Sequence, residues 1–161
     1  MKKLLLVLVS AFSAMVIYAQ TSDAEAEAIV NLLGVQKKEA IAKLVSVTGK
    51  DSIAFWKIYD DYTKKNVDVT KSRIKLYEKT ALSYGDMNPK VADSLARKYF
   101  ENRINQEKTL EEYYSKIKAA TNATVAFEFY QAEVYILTQV RAQIMQQIPT
   151  YGEFMVAKKN K

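Results

Sequence analysis

Glu133 shares the helical stripe of Phe129, Ile136 and Val140 in the most apolar stretch of the chain, where a carboxylate needs a partner. A catalytic role would require a second carboxylate or a base converging on it, and no such constellation can be picked out of the sequence. The structural reading is preferred: an ion pair with Arg73 or Arg103 from a neighbouring helix, which would set register more than add stability. Asp60-Asp61 and Glu111-Glu112 are acidic pairs that invite a metal. Adjacent residues on a helix diverge by about 100°, so each pair reads as a solvated face. Gly85-Asp86-Met87-Asn88 lacks the oxygen ladder and closing glutamate of a calcium loop and reads as a turn.

The missing residue types decide more. The chain contains neither histidine nor cysteine. Disulfides, a thiol nucleophile, iron–sulfur clusters, the usual zinc sites, the Ser-His-Asp triad and the Glu-x-x-His di-iron site each lose a required member. No phosphate loop or dinucleotide fingerprint occurs, so neither an ATP-driven step nor a cofactor has support, and no residue is assigned catalysis.

The elements that would position these residues follow from punctuation. Glycine and proline fall where helices should break, at Gly49, Gly85, Pro89, Pro149 and Gly152, with only Gly34 inside a helical pattern. Four helices are predicted. The first opens on the capping box Ser22-Asp23-Ala24-Glu25 and runs to about Val45, with a stripe of Val30, Leu33, Ile41, Leu44 and Val45. A second box, Thr48-Gly49-Lys50-Asp51, opens a long helix striped by Ile53, Trp56, Tyr59, Tyr62, Val69, Ile74, Tyr77 and Ala81. Asn88 then caps a third helix with Pro89 at its first position, striped by Val91, Leu95, Tyr99, Ile104, Leu110, Tyr114 and Ile117. Thr121-Asn122 starts the fourth, predicted to be the most buried, with Val125, Phe127, Phe129, Tyr130, Val134, Ile136, Leu137, Val140 and Ile144 over a wide arc. The fold class is therefore all-α, with two long central helices forming an elongated antiparallel hairpin or bundle. Overhanging ends of such helices expose apolar stripes unless a second copy or a client covers them, so a homodimer is a possible partner state.

Residues 1–19 read as a secretory signal peptide: Lys2 and Lys3 precede an apolar run from Leu4 to Ile17 that closes on Tyr18-Ala19. The run is shorter than the roughly 20 residues of a membrane span. Cleavage near Ala19, a periplasmic location and no stable membrane span after cleavage are expected. Removing residues 1–19 from the 161 leaves 142, and losing Lys2 and Lys3 takes the formal charge from +6 to +4. A helical domain over 20–149 and a solvated basic tail over 150–161 complete the organisation. The pI near 9.3 suits acidic surfaces or unfolded acidic chains better than nucleic acid, which an exported protein would not meet.

Ten of the eleven tyrosines lie beyond residue 19, several beside lysine or arginine. Amphipathic rings next to cations make an adaptable contact surface, and Tyr59, Tyr62, Arg73, Tyr77, Tyr99, Arg103, Tyr113 and Tyr114 are the candidates for it. For any one tyrosine, a core or boundary ring of an amphipathic helix is the plainer account.

Val47-Thr48-Gly49-Lys50-Asp51, with Phe55 following, resembles the Leu-Thr-x-x-Gln-x-x-x-Phe signature of the Spy and CpxP group of periplasmic stress proteins. A degraded second copy lies at Ala120-Thr121-Asn122-Ala123-Thr124. Valine and aspartate replace leucine and glutamine in the first copy, and only threonine remains in the second. Phe55-Trp56-Lys57-Ile58-Tyr59 and Phe129-Tyr130-Gln131-Ala132-Glu133 also resemble segments of exported bacterial helical proteins of no assigned activity. The first resemblance implies dimers of long helices that hold unfolded proteins without ATP on a basic and apolar surface. Unfolded or envelope proteins are then the expected partners. The alternatives are a sensor partner of an envelope signalling protein and a Skp-like holdase or scaffold, the latter weakened because no strand precedes the helices.

Overall fold

The computed structural model describes residues 36–160. The signal-peptide reading, the Ser22 capping box, Gly34 and the stripe positions Val30 and Leu33 lie outside the described residues. Five α-helices follow in order: α1 (36–44), α2 (Gly49–Leu82), α3 (Pro89–Ala120), α4 (Ala123–Gln147) and a short α5 (Tyr151–Lys159), with a 3₁₀ turn at Ser83–Asp86 between α2 and α3. Among the described residues there is no strand, and none of the helices is long and apolar enough to cross a membrane.

α2 and α3, at 34 and 32 residues, form the antiparallel hairpin that the sequence predicts. Each is about 50 Å long at roughly 1.5 Å per residue. Polar ties fix the hairpin's register: Asn102 Nδ2 donates to the Val69 carbonyl at 3.0 Å, and Tyr99 and Thr80 share a hydroxyl–hydroxyl bond of 2.8 Å. α4 folds back along α3, and α1 lies across α2 and α4. One aromatic core joins all four. Ile41 and Val45, Phe55, Tyr59 and Tyr62 of α2, Leu110, Tyr113 and Ile117 of α3, and Val125, Phe129 and Ile136 of α4 are its members. The Phe129 ring meets Phe55, Tyr59 and Tyr62 edge-on at centroid distances of 6.3, 6.2 and 5.4 Å, the geometry that ring quadrupoles favour. This core occupies the half of the hairpin remote from its turn.

Several stripe positions differ from expectation. On α2, Phe55 and Asn66 face inward while Ile53 and Ala81 face solvent, and Val69 and Trp56 are half-buried. On α3, Ile104 is exposed, and Gln106, Thr109 and Tyr113 are buried, with Tyr114 half-buried beside them. A straight helix packed on different neighbours at its two ends turns different arcs inward along its length, so one unbroken stripe does not describe it. α4 is not buried all round: Phe127, Tyr130, Val134 and Tyr135 are exposed, because helices cover only one side of it.

The termini of the helices follow local chemistry. Asn88 and Asn122 both cap, each accepting from two backbone amides of the following turn, and Pro89 occupies the first helical position as predicted. Thr48 holds the N-cap position of α2 without a side-chain cap bond, and Gly49 behind it adopts φ +60°, a conformation that glycine tolerates readily. The predicted solvated tail contains α5, opened by a complete capping box in which Thr150 and Glu153 bond each other's backbone amides. α5 is tied to the hairpin turn through Tyr84, whose hydroxyl donates to the Pro149 carbonyl at 2.6 Å and whose ring meets Tyr151 and Phe154.

Asn122→Ala should lower unfolding stability by about 1 kcal/mol, whereas Thr48→Ala should change it by a few tenths at most. Urea titration of both variants checks this, and an equal loss in the two would show that Thr48 caps in solution.

Candidate functional site

Three features could carry function: a polar group inside the core, a cleft between α2 and α3, and the surface rings.

The first centres on Glu133, which is fully buried. Its partner is neither Arg73 nor Arg103. Lys37 of α1 places Nζ 2.7 Å from Glu133 Oε2, and the Tyr62 hydroxyl donates to the same oxygen at 2.7 Å. The Lys37 ammonium also stands 4.9 Å over the Tyr62 ring, so the cation is held by charge and by the ring face together. Arg73 is half-buried and donates from Nε to Asn102 Oδ1 at 2.8 Å, while Arg103 is exposed. Around this pair lie polar atoms that bond no other protein group: Glu133 Oε1, the Tyr59 hydroxyl, Asn66 Oδ1 and Gln106 Oε1. The polar layer thus runs through α1, α2, α3 and α4 at one level of the core. Burial, reinforced by the Glu133 charge, pushes the Tyr59 and Tyr62 hydroxyls well above the usual tyrosine range.

The second feature lies on the opposite side of α2, in the half of the hairpin nearer its turn. A cleft of about 550 Å³ runs between α2 and α3 over a floor of Val69 and Leu76. Lys75, Lys79 and Lys98 rim it toward the turn, Glu101 lines it on the α3 side, and Asp68 rims it at the other end. Its walls include Asn102, already committed to the Val69 carbonyl and Arg73. Burial lowers the Arg73 pKa; the charges of Arg141 and Arg103 act in the same direction, and Tyr77 and Glu107 oppose them. Among the described residues no group of three or more His, Cys, Asp or Glu side chains could hold a metal.

No family model, curated protein or solved structure matches the chain.

The tyrosine surface inferred from sequence is largely internal. Tyr59, Tyr62, Tyr77 and Tyr113 are buried and serve as packing rings, so they offer no surface to a client in this fold. Tyr99 and Tyr114 are half-buried, the former bonded to Thr80, and only Arg103 of the eight is exposed. The motif residues divide as well. Phe55 and Phe129 are in the core, Val47 and Trp56 pack against it, and Tyr130 and Gln131 are on the surface. Sequence reasoning missed Lys37 and the cleft lysines. Lys75 and Lys79 share a helix face by their four-residue spacing, but Lys98 joins them only once the hairpin register is known. Lys37 carries no local signal that it will meet Glu133.

Removing one partner of the buried pair strands the other charge. Lys37→Met should cost about 3 kcal/mol of unfolding stability at neutral pH, and Lys37→Met/Glu133→Met should regain much of it because hydrocarbon then replaces both charges. Denaturant unfolding of the two variants checks this; equal stability of Lys37→Met and the parent would show the pair to be open in solution.

The tyrosines set an alkaline limit. Their folded pKa values lie above the unfolded value of about 10, so the stability they carry is complete below that pH. Above it the unfolded chain sheds protons that the folded chain keeps, and stability falls. Tyr59→Phe should flatten the loss between about pH 10 and 12, read as the urea midpoint against pH. Ionisation of both tyrosines near pH 10 in the folded protein, seen by ultraviolet difference absorbance, would contradict it.

Proposed function

We propose that this is an exported, ATP-independent chaperone-like binding protein that holds unfolded segments in the cleft between α2 and α3. The observation that carries the reading is the cleft's make-up: an apolar floor of Val69 and Leu76 lined by Lys75, Lys79 and Lys98, which outnumber its two carboxylates, Asp68 and Glu101. Its volume falls within the range of about 300–1,000 Å³ in which proteins hold ligands. The contact surface is therefore placed on the lysine rim in preference to the tyrosine stripe.

The chemistry suits weak, broad capture. Lysine is a flexible point charge that attracts acidic segments over a distance without demanding one geometry. A shallow aliphatic floor then gives a modest apolar contact that releases readily. The basic balance of the whole chain works in the same direction. A sensor partner of an envelope signalling protein remains the alternative use of the same cleft, distinguished by saturable binding of a single acidic segment.

The test is suppression of the aggregation of an unrelated unfolding protein, without ATP, by the purified protein at low and moderate salt. Substoichiometric to equimolar amounts should suppress, less so as salt rises. Replacing Lys75, Lys79 and Lys98 by Gln should remove most of the low-salt effect while leaving helical circular dichroism unchanged. No suppression by the parent at several-fold excess would overturn the reading.

A further inference from the structure

Arg73 stands where a core residue would. It continues the inward face of α2 two turns beyond Asn66, yet it is a guanidinium and only half-buried. Its Nε donates to Asn102 Oδ1 at 2.8 Å, and Asn102 in turn bonds the Val69 carbonyl at 3.0 Å, so one edge of the guanidinium is fixed between α2 and α3. Two further arginines reach the same level. Arg103 follows Asn102 directly and lies two turns before Leu110, on the face of α3 that carries this core residue. α2 and α4 run parallel with Tyr62 bonded to Glu133, and the same register carried along both helices sets Arg73 opposite Ile144. Arg141, three residues earlier and half-buried, is therefore within about 5 Å of the level of Arg73 along the bundle. The pull on the Arg73 pKa agrees: after burial, the charges of Arg141 and Arg103 lower it, against Tyr77 and Glu107.

Three helices thus bring three guanidiniums to one level of the seam between them. Among the described residues Arg103 and Arg141 form no ion pair, and Glu107 is the carboxylate whose charge acts on Arg73. Gathered like charges repel, and the burial of Arg73 adds a desolvation cost. An anion seated between them offsets both. The chemistry selects its class. All three positions carry arginine, whose planar fork of N–H donors matches oxyanions in a way that lysine does not. Three guanidiniums against one carboxylate leave a local charge of +2 (3 − 1), which a dianion neutralises and a single carboxylate only halves. A phosphate group also offers at least three strong acceptor oxygens, one for each fork, where a carboxylate offers two. Half-burial of Arg73 and Arg141 suits a small free anion better than a headgroup fixed in a membrane plane.

We propose that Arg73, Arg103 and Arg141 form a site for a small free phosphate-type dianion, inorganic phosphate or a phosphate monoester, between α2, α3 and α4. The bound anion ties the second half of α4 to the hairpin beyond the aromatic core. The site is separate from the lysine-rimmed cleft, which lies on the opposite side of α2, and the proposal stands or falls without it.

The test is calorimetric titration of the protein purified from cells with inorganic phosphate at constant ionic strength. Saturable binding of a single phosphate is expected, displaced by sulfate and not by acetate, and phosphate should raise the urea midpoint once its concentration passes the dissociation constant. Arg73→Gln should abolish binding. Because Arg73 also holds Asn102, the exposed Arg103→Gln and the half-buried Arg141→Gln carry the test without that tie: each should weaken binding about tenfold or more with helical circular dichroism unchanged. Gln at Lys75, Lys79 and Lys98 together should leave the affinity as it is. No saturable binding up to about 10 mM phosphate, equal displacement by acetate, or the same loss from the cleft lysine variant as from Arg103→Gln would each overturn the proposal. Vesicles bearing a phosphate-monoester headgroup make the second arm. They should not retain the protein, and retention by them without binding of free phosphate would overturn the free-anion assignment in favour of a headgroup.

Discussion

The Glu133 carboxylate is held out of water among the rings of Phe129 and Tyr62, and the placement of the other helices answers to it. A lone carboxylate there would cost several kcal/mol, of order the marginal stability of a whole domain. Two groups from two other helices meet that cost, the Lys37 ammonium of α1 and the Tyr62 hydroxyl of α2. A shift of α1 by one turn would move Lys37 about 5 Å along its axis and leave the charge unpaired. The pair thus specifies how α1, α2 and α4 are aligned, while hydrophobic burial of Phe55, Tyr59, Tyr62 and Phe129 supplies the driving force.

That alignment distributes the molecule's surfaces. The aromatic core sits at one end of the hairpin, and at the other end α2 and α3 are joined by the Tyr77–Tyr99 ring contact and by polar ties such as Asn102 to the Val69 carbonyl. In that half the cleft lies between the two helices, with Lys75, Lys79 and Lys98 at its rim. The same arrangement keeps one side of α4 on the core and turns Phe127, Tyr130 and Val134 outward. The buried charge pair and the ring cluster thus leave two outward features, the cleft between α2 and α3 and the apolar outer side of α4.

The helix count of the bundle, the α2–α3 hairpin, both asparagine caps and the proline start were legible in the sequence because each rests on residues within a turn of one another. The burial of Glu133 was legible from its neighbours at three- and four-residue spacing. Its partner was not, since Lys37 lies 96 positions away and arginine is the commoner choice for a buried carboxylate. Periodicity marked the tyrosines as helix-face residues without separating core from surface. Tyr59 and Tyr113 differ from Tyr130 only in what tertiary packing lays over them. The helix after Pro149 was missed because a run ending in lysines reads as solvated, although Thr150 and Glu153 carry its capping box.

Native-state hydrogen exchange on the α1 amides between residues 36 and 44 tests most directly whether the buried pair locks this helix into the core. Protection close to that of the α2 amides around Tyr59 is predicted in the parent, with a selective drop in α1 when Glu133 is replaced by Gln. Rapid exchange throughout α1 in the parent, with the amides around Tyr59 and Phe129 still protected, would contradict the account.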